Sequence, residues 1–173
     1  MALLKTVTQE EAEGEIAATY DMFLKTAGTV PKPMEMASIS PSLMKLQVEL
    51  VGYYMNHPTL KFPLLAHIRY LVATDQDYNF CIDFNSNLLQ FLGNTEEGLT
   101  ELVADPAKAD LDEKDKALLL FVLKALRSPD EVIGEEVDTL HNLGWKDSDI
   151  FDAVNHGAGM IAPSIMMRAF QIE

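Results

Sequence analysis

Apolar residues recur at steps of three and four along almost the whole chain, and nowhere do they alternate with polar ones for long. That pattern predicts helices throughout and no strand. The first helix is expected to start near Thr8, where Thr8 and Glu11 have the spacing of a capping box. Ile16, Tyr20 and Phe23 share a face of it, and Gly28 stops it. Residues 28–40, with Pro31 and Pro33, read as a loop. Ser40-Pro41 opens the next helix, a capping hydroxyl followed by a proline at the first helical position. Its buried stripe is expected to be Leu43, Leu46, Leu50 and Tyr53, and Pro58 ends it.

A third helix is expected over 63–74, burying Leu64, Ile68, Leu71 and Val72. Asp75-Gln76-Asp77 then interrupts the pattern and caps a helix over 78–92, closed by Gly93. Thr95 starts a short helix that stops before Asp105-Pro106. Asp112 starts another that runs to about residue 127 and is ended by Ser128-Pro129. Its stretch 117–126 is apolar nearly all round, which marks a central helix. A helix over 134–143 closes at Gly144, and the last helical region covers 147–170. Gly157, Gly159 and Pro163 predict a kink or break in it. Leu92-Gly93 and Leu143-Gly144 look alike, each followed six residues after the glycine by an aliphatic residue, Leu99 or Ile150. Internal duplication and two ordinary helical hairpins are equally good readings of that echo.

The whole reads as one all-α domain over 1–173, with an N-terminal helix and loop arm over 7–35 and a compact multi-helix core bundle over 40–172. At 173 residues, 48% hydrophobic, the chain has enough apolar material for one core. Asp and Glu outnumber Lys and Arg 27 to 13, a formal charge of −14, so nucleic acid and anionic membrane surfaces are expected to be repelled. The single cysteine, Cys81, rules out an intrachain disulfide. The N-terminus lacks a long apolar run of the secretory kind, and the longest apolar run, 117–123, is too short to span a bilayer. A cytoplasmic protein is the expectation.

The most informative residues lie on the helix over 78–92. Tyr78, Cys81, Asn85, Leu88 and Leu92 step by three and four and therefore share one face. Cys81 falls in the first turn, where the helix dipole favours a thiolate, while the charge of Asp77 opposes it. The segment Asp77-Tyr78-Asn79-Phe80-Cys81-Ile82-Asp83-Phe84-Asn85, set between an apolar helix and Leu92-Gly93, resembles the active-site helix of the alkylhydroperoxidase D-like / carboxymuconolactone decarboxylase superfamily, in its peroxidase-related branch. The later pattern, 113–126, Ser128-Pro129, 137–144 and 148–154, is similar too, and the resemblance covers roughly residues 10–170.

Members of that family carry Cys-x-x-Cys-x-x-x-His on this helix and usually a glutamate one helix upstream. The resemblance therefore implies an all-α alkylhydroperoxidase D-like bundle, a thiol-dependent peroxidase (peroxiredoxin-type, antioxidant) ancestry and a homo-oligomer. Cys81 stands at the second cysteine of the motif, the one that attacks peroxide. Tyr78 replaces the first cysteine and Asn85 the histidine, and the glutamate's region reads Ala66-His67-Ile68. Without a second thiol the dithiol cycle cannot run, and asparagine is no general base near neutral pH. What the resemblance leaves is weak or no peroxidase activity centred on Cys81, oxidised to a sulfenic acid and reduced by an external thiol.

The other expectation is non-redox small-molecule binding, or a decarboxylase-like lyase reaction, on the same scaffold. Cys81 is the candidate catalytic residue of the peroxidase reading, and His67, Tyr78 and Asn85 are the candidate binding residues. Each also has a plainer reading: Cys81 as a small buried hydrophobe, Asn85 as an amide that fixes packing and bonds the Tyr78 hydroxyl, His67 as a structural histidine. Asp152 and His156 have the i, i+4 spacing of a metal pair, but no third ligand accompanies them, so no metal and no cofactor is expected. Met160, Met166 and Met167 read as gap-filling in a core or subunit contact.

Overall fold

A computed structural model describes residues 2–172, of Ala27 the backbone only. Among these residues there are helices and no strand, as the three- and four-residue spacing predicts. The helices are α1 (Gly14–Ala27), α2 (Lys32–Ala37), α3 (Pro41–Met55), α4 (Phe62–Asp75), α5 (Asn79–Phe91), α6 (Glu96–Ala104), α7 (Glu113–Arg127), α8 (Gly134–Asn142) and α9 (Asp147–Phe170). Short 3-10 turns occupy Pro106–Lys108 and Pro129–Glu131. None of the described helices is long and apolar enough to cross a membrane.

The chain forms two compact units. One comprises Met1–Asn56 with Ile165–Glu173. Its core is Tyr20, Ala37 and Met44, against which Ala12, Ile16 and Val30 pack. The Tyr20 hydroxyl donates to the Val7 carbonyl (2.8 Å), and the Val7 N–H donates to Ser38 Oγ (2.9 Å), tying the N-terminal segment to this core. Three expectations fail here. Thr8 and Glu11 do exchange capping bonds, but across an isolated turn, because Gly14 takes a left-handed φ of 57° and α1 starts only there. The stretch 28–40 is not all loop: Pro31 precedes α2 and Pro33 sits in its first turn, where a missing N–H costs nothing. On α3, Ser40 makes no side-chain cap bond, and Leu43, Leu46, Leu50 and Tyr53 are 45–61% exposed while Met44 and Tyr54 are the buried pair. Spacing identifies an apolar stripe; it does not say that the same chain covers it.

The other unit, His57–Ser164, holds all the candidate residues. Here α4 is the enclosed helix: nine of its residues are buried, including Leu64, Ile68, Leu71 and Val72, and it lies against α5 and α7. The expected central helix, α7, buries Leu118, Leu119, Val122 and Leu123 but leaves Leu120 on the surface, so it is amphipathic rather than surrounded. Thr95 and Asp112 cap α6 and α7 through their side chains, accepting from the N–H groups of Gly98 and Asp115. α9 is not broken: it continues through Gly157, Gly159 and Pro163. A proline deletes one helical hydrogen bond, and the turns on either side hold without it. Gly157 is there for space. A Cβ at that position would come within 2.7 Å of Leu126, 3.1 Å of Val122 and 3.3 Å of Ile68.

Candidate functional site

Tyr78 lies at the N-terminal boundary of α5, and Cys81 and Asn85 follow at one-turn intervals on its inward face. All three are buried, at 7%, 6% and 1% exposure. Burying an amide requires that its polar atoms be matched. The Asn85 amide is: its Nδ2 donates to the Cys81 carbonyl (2.8 Å), and its Oδ1 accepts from Arg69 Nε on α4 (2.8 Å). The expected bond to Tyr78 is absent. The Tyr78 hydroxyl is buried and makes no hydrogen bond of ordinary geometry among the described residues, although it lies close enough to the Cys81 sulfur for each to perturb the other. The sequence offered no sign that α4 would send a guanidinium to Asn85, because that pairing depends on how two helices pack.

Arg69 has three further neighbours. Its Nη1 is 3.4 Å from His156 Nε2 on α9, its guanidinium carbon is 5.5 Å from the centre of the Phe62 ring, and its charge reaches Cys81. None of these is a carboxylate, and no salt bridge to Arg69 exists among the described residues. The side chain keeps some contact with solvent, yet enough protein surrounds the guanidinium to push it down to about 10, with proximity to Cys81 opposing the shift. It is still a full cation at neutral pH. His156 is pushed down to about 3, first by burial and then by the Arg69 charge, against an opposing backbone bond with Leu65. It is therefore a neutral imidazole with a lone pair available to the arginine.

Burial dominates the thiol as well. It pushes Cys81 up to about 11, while the Tyr78 hydroxyl and the Arg69 charge pull the other way. At pH 7 that leaves about one thiolate in ten thousand. The first-turn position that would favour a thiolate does not overcome desolvation. Tyr78 is itself held above its ordinary value by burial and by Cys81, so it is no base either.

His67 does not join this group. It lies two residues from Arg69 on α4, and two helical steps turn a side chain by about 200°. Its Nδ1 bonds the Pro63 carbonyl (2.8 Å), its electrostatic neighbour is Asp110, and its buried Nε2 has no partner among the described residues. Burial lowers its pKa, with Pro63 and Asp110 opposing. Asp152 and His156 each have a partner on another element. Asp152 accepts from His57 Nε2 (3.1 Å), while His156 turns to Arg69. Two backbone N–H groups, of Thr59 and Leu60, donate to His57 Nδ1 (3.3 and 3.0 Å), so the proton sits on Nε2. Thr59 in turn donates to Asp149 (2.6 Å), whose other oxygen accepts from Lys146 N–H at the start of α9. These bonds fix the loop 56–61 onto α9 and explain the His57, Asp149 and Asp152 polar groups structurally.

The helical fold has counterparts among solved structures. An uncharacterized peroxidase-related protein from Silicibacter sp. TM1040 superposes with a TM-score of 0.82 at 16% identity, over 99% of this chain and 91% of that one. The alkylhydroperoxidase AhpD core, an uncharacterized peroxidase-related protein from Ralstonia eutropha JMP134, superposes with a TM-score of 0.83, also at 16% identity and with the same coverage. The fold is that of the AhpD core. No family model and no curated protein matches the chain by sequence. The AhpD-core scaffold is therefore shared, while at 16% identity the chemistry has to be read from this chain's own residues.

Proposed function

We propose that this chain is a small-molecule-binding protein on an AhpD-core scaffold that does not run a thiol peroxidase cycle, and that it works as a homo-oligomer. The observation that carries the first part is the state of Cys81. Its thiol is the chain's only one, it is buried and held protonated to about pH 11, and the groups around it are an asparagine, a tyrosine and a cation. A nucleophilic thiol needs a base or a lowered pKa, and Cys81 has neither. The polar cluster built over it, Arg69, Asn85 and His156, is arranged for holding charge.

A second reading keeps one-cysteine peroxidase chemistry. In its favour, Arg69 and Tyr78 both favour the thiolate. Burial outweighs them. Purified protein given a hydroperoxide and dithiothreitol separates the two. The binding reading expects turnover no faster than the uncatalysed mixture, with Cys81→Ser indistinguishable from wild type. Turnover in wild type that disappears in Cys81→Ser would establish the peroxidase instead.

A further inference from the structure

A guanidinium has five N–H donors and a charge that does not leave at physiological pH. Burying it without a counter-ion is costly, and proteins nearly always supply one. This chain has 27 acidic residues against 13 basic ones, yet among the described residues none lies on Arg69. By contrast Arg127, on the surface of the same unit, has a bidentate carboxylate in Asp75 (2.6 and 2.8 Å). Around Arg69 the acceptors are instead neutral: Asn85 Oδ1 takes Nε, and His156 Nε2 faces Nη1. Nη2 bonds no described residue, and the Arg69 side chain as a whole is only partly buried. The Phe62 ring, 5.5 Å from the guanidinium carbon and 41% exposed, sets an apolar surface beside the free donors. The Tyr78 hydroxyl, which makes no hydrogen bond of ordinary geometry, stands by the same sulfur that the Arg69 charge reaches.

We infer that Arg69 is the anchor of an anion site, and that its occupant is the carboxylate of a small monoanionic acid with an apolar or aromatic body. The inference rests on the binding reading above and names its ligand class. A carboxylate presents two coplanar oxygens to the guanidinium edge and brings one negative charge to one positive charge. Phosphate would bring a second charge to a chain that already carries a net −14, with no second cation to meet it. Asn85 and His156 orient the guanidinium without neutralising it. His156, uncharged at pH 7, accepts from the arginine and adds no competing positive centre. The Phe62 ring favours a ligand whose remainder is flat and apolar.

Benzoate is the probe, with benzamide as its uncharged counterpart and inorganic phosphate as the alternative anion, all at pH 7 and constant ionic strength. Benzoate is expected to raise the thermal unfolding midpoint progressively with concentration, and benzamide and phosphate to leave it near its starting value. Arg69→Gln is expected to weaken the benzoate response about tenfold or more. Asn85→Asp, which gives the guanidinium a carboxylate of its own, is expected to abolish it and serves if Arg69→Gln does not fold. The inference is overturned by a flat benzoate response, by equal responses to benzamide or phosphate, or by a response that survives Asn85→Asp. Peroxide turnover dependent on Cys81 sinks the underlying binding reading whatever benzoate does, so the two failures are distinguishable.

Discussion

At the scale of single residues, the chain's spacing identifies half of the site. Tyr78, Cys81 and Asn85 lie on one buried face because steps of three and four are a property of one helix, and a sequence displays that directly. Arg69 and His156 come from other helices, and nothing local to them announces it. Arg69 sits in a mostly apolar stretch, Leu64 to Ala73, that also holds His67, and the run itself does not say which groups meet its charge. His156 carries the clearest consequence of that charge. Its pKa falls from 6.5 unfolded to about 3 folded, because burial and the neighbouring guanidinium both penalise a second positive charge. As pH drops from about 6.5 towards 3, the unfolded chain takes up a proton that the folded chain refuses, so stability is full above 6.5 and is lost on the way down. His67, also lowered by burial, adds loss of the same sign. At pH 4.5 the His156 share is roughly 1–3 kcal/mol. Urea midpoints at pH 7 and pH 4.5 measure it: His156→Gln is expected to lose less stability than wild type between the two. Equal losses would show that the imidazole does not feel the arginine in this way.

At the scale of elements, the sequence is read best where a helix ends by backbone geometry and worst where prolines or glycines admit two uses. The echo at Leu92-Gly93 and Leu143-Gly144 is a shared closure. Both glycines are left-handed, at φ 104° and 86°. Asn94 N–H bonds Leu89 C=O, and Trp145 N–H bonds Leu140 C=O, the same six-residue return in each. Leu99 and Ile150 are both buried in the helix that follows. The misread prolines have one cause. Pro31, Pro33 and Pro163 read as breakers, yet two fall where a helix start needs no N–H and one is tolerated inside α9. The two glycines of α9 sharpen the point, since sequence gives them the same meaning and packing gives them opposite ones. Gly159 has nothing within 4 Å of a built Cβ, whereas Gly157 is hemmed in by Leu126, Val122 and Ile68. Gly159→Ala is expected to stabilise by about 0.5–1 kcal/mol through helix propensity. Gly157→Ala gains the same propensity but forces two branched side chains of α7 aside, and a net loss of about 1 kcal/mol is expected. Chemical denaturation of the two variants decides it, and a stabilising Gly157→Ala would mean that the contact with α7 yields freely.

At the scale of the whole molecule, the fold class is the most legible property, because it needs only the period of the apolar residues. What those residues pack against is the least legible. The stripe Leu43, Leu46, Leu50 and Tyr53 has helical period, yet each is about half exposed, and Met55 beyond it is 70% exposed. Four large apolar side chains in register on one helix exceed the scatter of single hydrophobic residues that a surface ordinarily carries. A second copy of the chain is the occupant that charge permits. With −14 per chain, most faces of two copies repel, but the only charged residues on α3 are Lys45 and Glu49, which cancel. An interface built from a stretch without net charge joins copies where their repulsion is small. Light scattering at micromolar concentration is expected to find an oligomer, and Leu46→Glu to shift it towards monomer by placing a like charge in the seam of every pair. Added salt is expected to strengthen the wild-type association, since it screens the repulsion between the acidic remainders while leaving apolar burial intact. A wild-type monomer, or an oligomer indifferent to Leu46→Glu, would leave the stripe of α3 without that role.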